Sequence, residues 1–429
     1  MRISERRIVA PWLLGTVCAV ALSFFLTSCE ERDFIDPNGP NKDQTSVQTL
    51  VTGIEAGMRV DFEFYVRSLS VIGRETYYLE PSDPRYTGEL LGKNGSQLDP
   101  SGFLLVRSWG SRYRVIRTCY FLIEKGDRGA SGFAKTIIAY QYLLNLNMTN
   151  GNGIRLQGAD GSQGPLLAKA AALTEIVRLL DEGLADVKAV SSFSFNLSPG
   201  FAGTPTFPGF GDPSGFARFN RALRARVAAY QGDIPALHAA LDSSFISGSA
   251  PLSDGVYHSY STASGDLLNP IFELPTASTI KLFAHPTFRP QADTGDTRVG
   301  AKTIVRSEAT TFDGLTSDIG ITVAASDVAP YPIIRKGELV LLRAEAYIAQ
   351  SNYGLAEPLI NSVRSAAGLG NVTLSAGNAV DELLKQRRYS LFLEGHRWID
   401  MRRFNRLNQL PLDRAGDVVQ TEFPLPDRE

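Results

Sequence analysis

Cysteine is scarce in this sequence of 429 residues, which contains three. Cys18 and Cys29 lie near the N-terminus, so the rest of the chain holds only Cys119 and cannot form an internal disulfide. Cys119 lies between apolar residues in Val115–Ile123. That surrounding predicts a small buried side chain rather than a nucleophile.

The usual signatures of catalysis and metal binding are also missing. The four histidines are not spaced as metal ligands, and the sequence has no HExxH, GxSxG or GxxxxGK[ST] motif. Asp293 and Asp296 flank Gly295, a pattern more typical of a polar turn than of a cation site. No pair of carboxylates stands out as a glycosidase pair. We therefore expect no enzyme activity, no cofactor and no metal, and keep a hydrolase as a remaining alternative.

Neither sign of charge dominates. The chain has 43 basic and 45 acidic residues, a formal net charge of −2. A protein that binds nucleic acid or anionic lipid through its overall charge would be basic. This composition favours neither partner.

The N-terminus has the pattern of a secretory leader. Three arginines precede an apolar run over residues 8–26, and Leu26-Thr27-Ser28-Cys29 follows. The cysteine at the end of the run resembles a bacterial lipobox, which predicts a lipoprotein signal peptide over 1–28 and lipidation of Cys29. An uncleaved membrane anchor is the alternative, because the run is long enough to span a bilayer. Residues 29–43 are predicted to form an acidic tether and linker.

Helical periodicity dominates the sequence from residue 44 to residue 429, which we interpret as one domain. A segment over about 246–334 differs, since it is rich in Gly, Pro, Ser and Thr and predicts loops and short strands. The alternation of small and large residues over 335–367 is typical of a tetratricopeptide-like helical pair. The predicted helices are 45–66, 103–124, 132–148, 164–189, 214–231, 233–245, 335–350, 353–367 and 379–406.

The C-terminal block carries the most specific pattern. Residues 386–403 read QRRYSLFLEGHRWIDMRR, and 423–429 read FPLPDRE. Both segments resemble the C-terminal signature of the SusD/RagB-like family of outer-membrane nutrient-binding lipoproteins. Segments 360–369, 220–228 and 109–120 are also similar to patterns of that family. Within the last of these segments we interpret Trp109 and Tyr113 as core residues, because they share one helical stripe.

The resemblance implies a fold and a function. The fold would be mainly α, a bundle of tetratricopeptide-like helical pairs with loop-rich, short-β excursions. The function would be capture of a nutrient, most often a glycan, outside the cell by a lipid-anchored outer-membrane protein. The nutrient would pass to a SusC-like TonB-dependent transporter, without catalysis and without nucleic acid. A peptide-binding uptake lipoprotein and a helical protein–protein adaptor remain alternatives.

Two departures from the family pattern bear on charge. Gln386 and Ser390 occupy positions where the pattern usually carries Glu, so two partners for the arginines are absent. On one continuous helix, Glu394 would pair with Arg397, and Asp400 with Arg403. We expect the signature to act structurally by attaching the last helix to the bundle; its residues are Arg388, Glu394, Gly395, Arg397, Trp398, Asp400 and Arg403.

Ligand contacts are predicted from residue type. A sugar packs its C–H face on aromatic rings, while amide and guanidinium groups bind its hydroxyls. The stretch 74–94 combines these types without helical periodicity, and the family's glycan contacts lie in a comparable early loop region. The candidates are Arg74, Tyr77, Tyr78, Arg85, Tyr86 and Asn94, followed by Tyr257 and Tyr260.

We predict that the processed N-terminal peptide begins at Cys29 and carries fatty acyl chains, which mass spectrometry of the membrane fraction would detect. Cys29→Ala should move the protein out of that fraction, because each buried methylene contributes about 0.8 kcal/mol to membrane attachment. Cys18→Ala is the matched control. A mature N-terminus without an acyl adduct would contradict the prediction.

Overall fold

Helices make up most of the protein. The computed structural model describes residues 45–203, 208–248 and 251–427. The predicted signal peptide, Cys29 and the tether lie outside the described residues. The helices are α1 Val47–Arg59, α2 Phe62–Ile72, α3 Arg85–Gly88, α4 Phe103–Ile123, α5 Arg128–Thr149, α6 Lys169–Lys188, α7 Pro213–Gln231, α8 Ile234–Asp242, α9 Thr297–Lys302, α10 Lys336–Ala349, α11 Tyr353–Ala366, α12 Ala379–Ser390 and α13 Arg397–Arg403.

The strands are short and all their pairings are antiparallel within the described ranges. One sheet has the order β1-β5-β7-β6, and two further ladders pair β2 with β3 and β4 with β8. The strands are β1 Thr76–Tyr78, β2 Ile154–Gln157, β3 Gln163–Leu167, β4 Gly255–His258, β5 Leu282–Ala284, β6 Thr303–Phe312, β7 Leu315–Ile321 and β8 Tyr331–Arg335. The mainly helical class with short-β excursions is therefore confirmed.

Consecutive helices pack in pairs from α4 to α8. The close crossing of α5 and α6 depends on two glycines, Gly132 and Gly183. A Cβ on Gly132 would lie 2.6 Å from Val187 Cγ2 and 2.8 Å from the Gly183 carbonyl oxygen. The absent side chains let the two backbones approach, so both helices bury one continuous face.

Side-chain caps define where several of these helices begin. Asp127 accepts a hydrogen bond from the Ala130 backbone N–H at 2.8 Å, and Asp212 does the same for Gly215 at 2.8 Å. A carboxylate at this position satisfies one of the N–H groups that the first turn leaves unpaired. Gly232, at φ 71°, ends α7 in the left-handed conformation that glycine adopts readily.

The tetratricopeptide-like pair is confirmed in α10 and α11. Ala344 and Ala356 are fully buried where the two helices cross, and Ile360 and Val363 pack beside them. α12 adds Leu383 to the same apolar cluster. These three helices form a second, smaller core next to the main one.

Three predicted helix boundaries are wrong, each for a local reason. The helix predicted over 45–66 is interrupted at Asp61, which has φ 56°. The helix predicted to start at residue 164 starts at Lys169, because 163–167 pairs with 154–157 as a hairpin. The helix predicted over 379–406 ends at Ser390 and resumes at Arg397.

We predict opposite effects of one substitution at two helix interiors. Gly132→Ala should lower the free energy of unfolding by roughly 1–3 kcal/mol, because its Cβ meets the backbone of α6. Gly53→Ala, in α1, should raise it by about 0.5–1 kcal/mol, since nothing lies within 4 Å and alanine favours the helix. Urea denaturation measures both. Equal effects at the two sites would contradict the close crossing.

Candidate functional site

Arg74 is a buried structural residue with 1% exposure. Its guanidinium donates hydrogen bonds to the carbonyl oxygens of Ile72 at 2.9 Å and Pro411 at 3.1 Å, and also to those of Leu91 and Val418. These bonds connect the β1 segment with the C-terminal segment. The side chain is therefore engaged within the protein and not directed at a ligand.

The three tyrosines of the early segment are buried as well: Tyr77, Tyr78 and Tyr86 are 3%, 7% and 6% exposed. The Tyr77 hydroxyl lies 3.2 Å from His285 Nε2, and the rings of Tyr78 and Tyr86 are 4.4 Å apart. Their ring faces pack against other side chains. Substituting them by alanine would open a cavity instead of removing a surface contact.

Arg85 and Asn94 are exposed at the edge of this region. Arg85 forms an ion pair with Asp83 at 2.7 Å, and its guanidinium lies 4.3 Å from the ring centre of Phe103. Asn94 is in a turn with φ 52°. No open aromatic face accompanies the two polar side chains, because Tyr86 and its neighbours point inward. The candidate residues of segment 74–94 thus lie near one another, but most of their side chains belong to the core.

Of the two tyrosines predicted in the middle segment, Tyr260 is 7% exposed and lies below the Arg59 guanidinium, 5.6 Å from ring centre to charge. Tyr257 is half-buried and lines a cleft of about 400 Å³. We call it the Tyr257 cleft. It lies between the β4–β8 ladder, α9, the end of α11 and residues 390–394.

The charged groups of the Tyr257 cleft are already paired. Arg335 binds the Glu394 carboxylate with distances of 2.7 and 3.1 Å, and Arg298 binds Asp296 at 2.7 Å. Lys302 donates to the carbonyl oxygens of Tyr389 and Ser390, while burial and the nearby Arg335 lower its pKa to about 7. The cleft offers the half-buried ring of Tyr257 and the buried rings of Tyr331 and Phe392 beside charged groups that satisfy each other.

A second cleft, about 220 Å³, lies between α4 and the β2–β3 hairpin. We call it the Trp109 cleft. Trp109 and Tyr113 form one wall, with ring centres 5.3 Å apart and planes inclined by 49°. Trp109 is 4% exposed and Tyr113 half-buried, which confirms their prediction as core residues, yet both also reach the cleft. The lining residues are Val106, Trp109, Gly110, Tyr113, Arg155, Leu156, Gln157, Gly161, Ser162 and Gln163.

The hairpin supplies the polar wall of the Trp109 cleft. Arg155 Nη1 donates to the Gly164 carbonyl oxygen at 3.2 Å, and the Tyr113 hydroxyl donates to the Arg155 carbonyl oxygen at 2.5 Å. The Gln157 backbone N–H donates to the Tyr142 hydroxyl at 2.9 Å, whereas Gln157 Oε1 is buried without a hydrogen-bond partner. A buried amide oxygen without a donor is costly. Gln157 also lines the cleft, which places its amide group at the edge of the space that a ligand would fill.

The sequence predicted the rings but not the cleft. Residues 150–164, NGNGIRLQGADGSQG, contain a turn-rich hairpin signal between two short apolar segments. The predicted helix 164–189 overlaps the second strand of this hairpin. Only the hairpin places Gln157 and Gln163 opposite Trp109. Recognising the Gly-Ala-Asp-Gly turn would have indicated the second wall.

Neither a candidate metal site nor a helix that could span a membrane is found among the described residues. Among residues 45–203, 208–248 and 251–427, no three His, Cys, Asp or Glu side chains are grouped to hold a metal ion. In the same part of the chain, no helix is long and apolar enough to cross a bilayer.

The signature residues attach the C-terminal segment to the bundle. Trp398 is fully buried and its Nε1 donates to the Gln420 carbonyl oxygen at 2.8 Å. Asp400 pairs with Arg387 at 2.6 Å and with Arg403 at 3.1 Å, and Arg403 also pairs with Glu345 of α10 at 2.7 Å. Burial opposes ionisation of Asp400, but Arg387 and Arg403 outweigh it and hold its pKa below the usual value.

One predicted pair is formed and the other is not. The Asp400–Arg403 pair is confirmed, but Glu394 lies in the break before α13 and pairs with Arg335 rather than Arg397. Leu393 and Gly395 have φ of 60° and 76° there, which ends the helix. A Cβ at Gly395 would lie 3.1 Å from Tyr65 Cε1, so glycine suits both the turn and the contact.

Comparisons with known proteins support the predicted resemblance. The SusD family model matches residues 315–422. No curated protein matches the sequence.

Solved structures share the fold over most of the chain. A SusD superfamily protein from Bacteroides vulgatus has a TM-score of 0.62 at 13% identity, covering 86% of this chain and 89% of that one. NanU from B. fragilis has a TM-score of 0.62 at 16% identity, and a laminarin-binding SusD-like protein 0.60 at 18%, each covering 89% of this chain and 95% of the other. Together with the family match, these structures confirm the SusD/RagB resemblance; at these identities they show the fold alone.

We predict that Asp400→Asn lowers the free energy of unfolding by about 3–5 kcal/mol, because it leaves the buried Arg387 and Arg403 without their shared carboxylate. Guanidinium chloride denaturation measures the change. The control is Glu175→Gln, which removes an exposed pair with Arg178 and should cost about 0.2–1 kcal/mol. Similar losses in both variants would show that burial does not strengthen the network.

Proposed function

We propose that this chain, with its SusD fold and a C-terminal part that matches the SusD family, is a lipoprotein that binds a nutrient glycan at the cell surface. It then delivers the glycan to a SusC-like TonB-dependent transporter of the outer membrane. The observation that carries the proposal is the family match over residues 315–422 inside a fold shared along most of the chain. Cys29 would provide the anchor, and no catalytic step is part of the proposal.

The Trp109 cleft is the glycan site that the chemistry supports best. Tyr113 offers a half-buried ring next to Trp109, and Gln157, Gln163 and Arg155 provide amide and guanidinium groups across the cleft. An aromatic wall facing hydrogen-bonding groups is how proteins bind the apolar face and the hydroxyls of a sugar. The Tyr257 cleft is larger, but its charged groups already pair with each other. We therefore place the first sugar unit against Tyr113.

The proposed function predicts retention of the purified full chain in native gels that contain a soluble polysaccharide, with a panel that includes laminarin, starch, xylan and pectin. Oligosaccharides of the retaining glycan then go to calorimetry. Tyr113→Ala and Gln157→Ala should each weaken binding about tenfold or more, which corresponds to about 1.4 kcal/mol of lost stacking or hydrogen bonding. Circular dichroism and thermal melting check that each variant is folded.

Tyr257→Ala is the matched control, because it removes an equally half-buried tyrosine from the other cleft. If Tyr257→Ala abolishes glycan binding and Tyr113→Ala does not, the site assignment is wrong and the Tyr257 cleft takes its place. If no glycan of the panel binds but a tryptic peptide mixture yields a bound peptide, the protein is a peptide receptor. Binding to neither class contradicts nutrient capture.

A further inference from the structure

A third cleft, about 300 Å³, lies beside the signature residues and carries an excess of positive charge. We call it the Arg397 pocket; Lys385, Arg388, Arg397, Asp381, Gln291 and Gln409 supply its polar lining. It lies against α12 and the start of α13, and shares no lining residue with the Trp109 cleft. Neither proposed glycan contacts nor the buried Asp400 network use it.

Arg397 is the unusual member of this pocket. Its side chain is half-buried with Nε fully enclosed, yet it forms no hydrogen bond and no ion pair with the described residues. Burial and the neighbouring Arg388 lower its pKa to about 10, so the group remains charged at neutral pH. A buried arginine ordinarily has its donors satisfied by carboxylates or carbonyl oxygens, as all three nitrogens of Arg74 are.

Nearby groups do not neutralise Arg397. Arg388 bonds to neutral partners only, Gln291 at 2.6 Å and Thr287 at 3.0 Å. Glu75 acts on both arginines, but it is completely buried, and burial raises its pKa to about 8. Burial therefore favours the neutral form of Glu75.

The remaining charges around the pocket are occupied. Lys385 forms an ion pair with Asp293, and Asp381 lies 3.6 Å from Arg406. Gln386 and Ser390, where the family pattern usually carries Glu, bring no carboxylate; Gln386 donates to Glu382 and Ser390 accepts from Arg298. Neither arginine forms an ion pair in the described part of the chain; Asp400 acts on Arg397 only from beyond ion-pair distance and is itself held by Arg387 and Arg403.

We propose that the Arg397 pocket binds the carboxylate of a small organic acid, such as a sugar acid, between the guanidinium groups of Arg397 and Arg388. A guanidinium and a carboxylate form two parallel hydrogen bonds, and this geometry satisfies the Arg397 donors that the protein leaves open. Gln291 and Gln409 at the mouth can bind hydroxyl groups of the same ligand. The site is independent of glycan binding at the Trp109 cleft.

A monoanion fits the pocket better than a dianion. Asp381 also lines the opening, and its carboxylate repels a second negative charge on the ligand. The pocket volume, about 300 Å³, is at the lower end of the range for small-molecule sites, which suits one acidic sugar unit rather than a chain. These two features distinguish a carboxylate from inorganic phosphate as the occupant.

The test uses calorimetry and thermal melting of the full chain with three probes: D-glucuronate, D-glucose and inorganic phosphate. Glucuronate should bind at least tenfold more tightly than either of the others and should raise the melting temperature. Arg397→Gln should lose tenfold or more in glucuronate affinity, together with the ligand-induced rise. Without ligand it should melt no lower than the unmodified protein, because an unpaired buried charge is removed.

Three controls decide between a binding role and a structural one. Arg224→Gln removes another half-buried arginine that lines none of the three clefts and should leave glucuronate affinity unchanged. Arg397→Lys retains the charge but not the paired donors and should also lose affinity, which keeps the test valid if Arg397→Gln does not fold. Tyr113→Ala should retain glucuronate binding while weakening the glycan.

The proposal is overturned if the unmodified protein does not bind glucuronate, or binds glucose or phosphate as tightly. It is also overturned if folded Arg397→Gln, or Arg397→Lys in its place, keeps the affinity. Loss of glucuronate binding in Tyr113→Ala would show that glucuronate binds in the Trp109 cleft, and it would also overturn the proposal that it binds in the Arg397 pocket. Failure of glycan binding with retained glucuronate binding would leave the pocket intact and reject only the proposed function.

Discussion

The buried ion-pair network around Asp400 is the constraint on which the C-terminal half depends. Asp400 receives Arg387 from α12 and Arg403 from its own helix, and Arg403 continues to Glu345 of α10. Charges this deep are tolerated only when each has a partner at hydrogen-bonding distance, because water no longer compensates them. The network therefore determines one relative position of α10, α12 and α13, and Trp398 and the segment to Phe423 follow from it.

That attachment also determines where open polar surface remains. The turn between α12 and α13 brings Glu394 to Arg335, so that the two form an ion pair in the Tyr257 cleft. Arg397, which follows the same turn, forms no ion pair with the described residues and lines a pocket of its own. The short break between α12 and α13 thus has two effects. In the Tyr257 cleft the charged side chains are paired, whereas in the Arg397 pocket the positive charge of Arg397 has no ion-pair partner among the described residues.

The Trp109 cleft depends on close packing and not on charge. Glycines at 132 and 183 let α5 and α6 approach, and α4 packs on α5 with the Trp109 and Tyr113 rings turned toward the hairpin 154–167. The two rings belong both to the core and to the lining of the cleft. Because they are packed in the core, the aromatic wall of the cleft is rigid. Rigid groups lose little conformational entropy on binding, so such a wall suits recognition of a sugar.

The sequence by itself determined most helix positions, including the pair 336–349 and 353–366, and it contained the C-terminal signature. Helices can be predicted in this way because periodicity at three and four residues is a local property that needs no distant partner. Exposure was decided by tertiary structure. Tyr77, Tyr78 and Tyr86 have the residue types of a binding loop but are covered by segments far along the chain, such as 282–285, whereas Trp109 gains its cleft from a hairpin about 45 residues later. Likewise, Arg387 and Arg397 cannot be told apart by type, and only the packing of α12 and α13 gives Arg387 an ion pair with Asp400 and leaves Arg397 without one among the described residues.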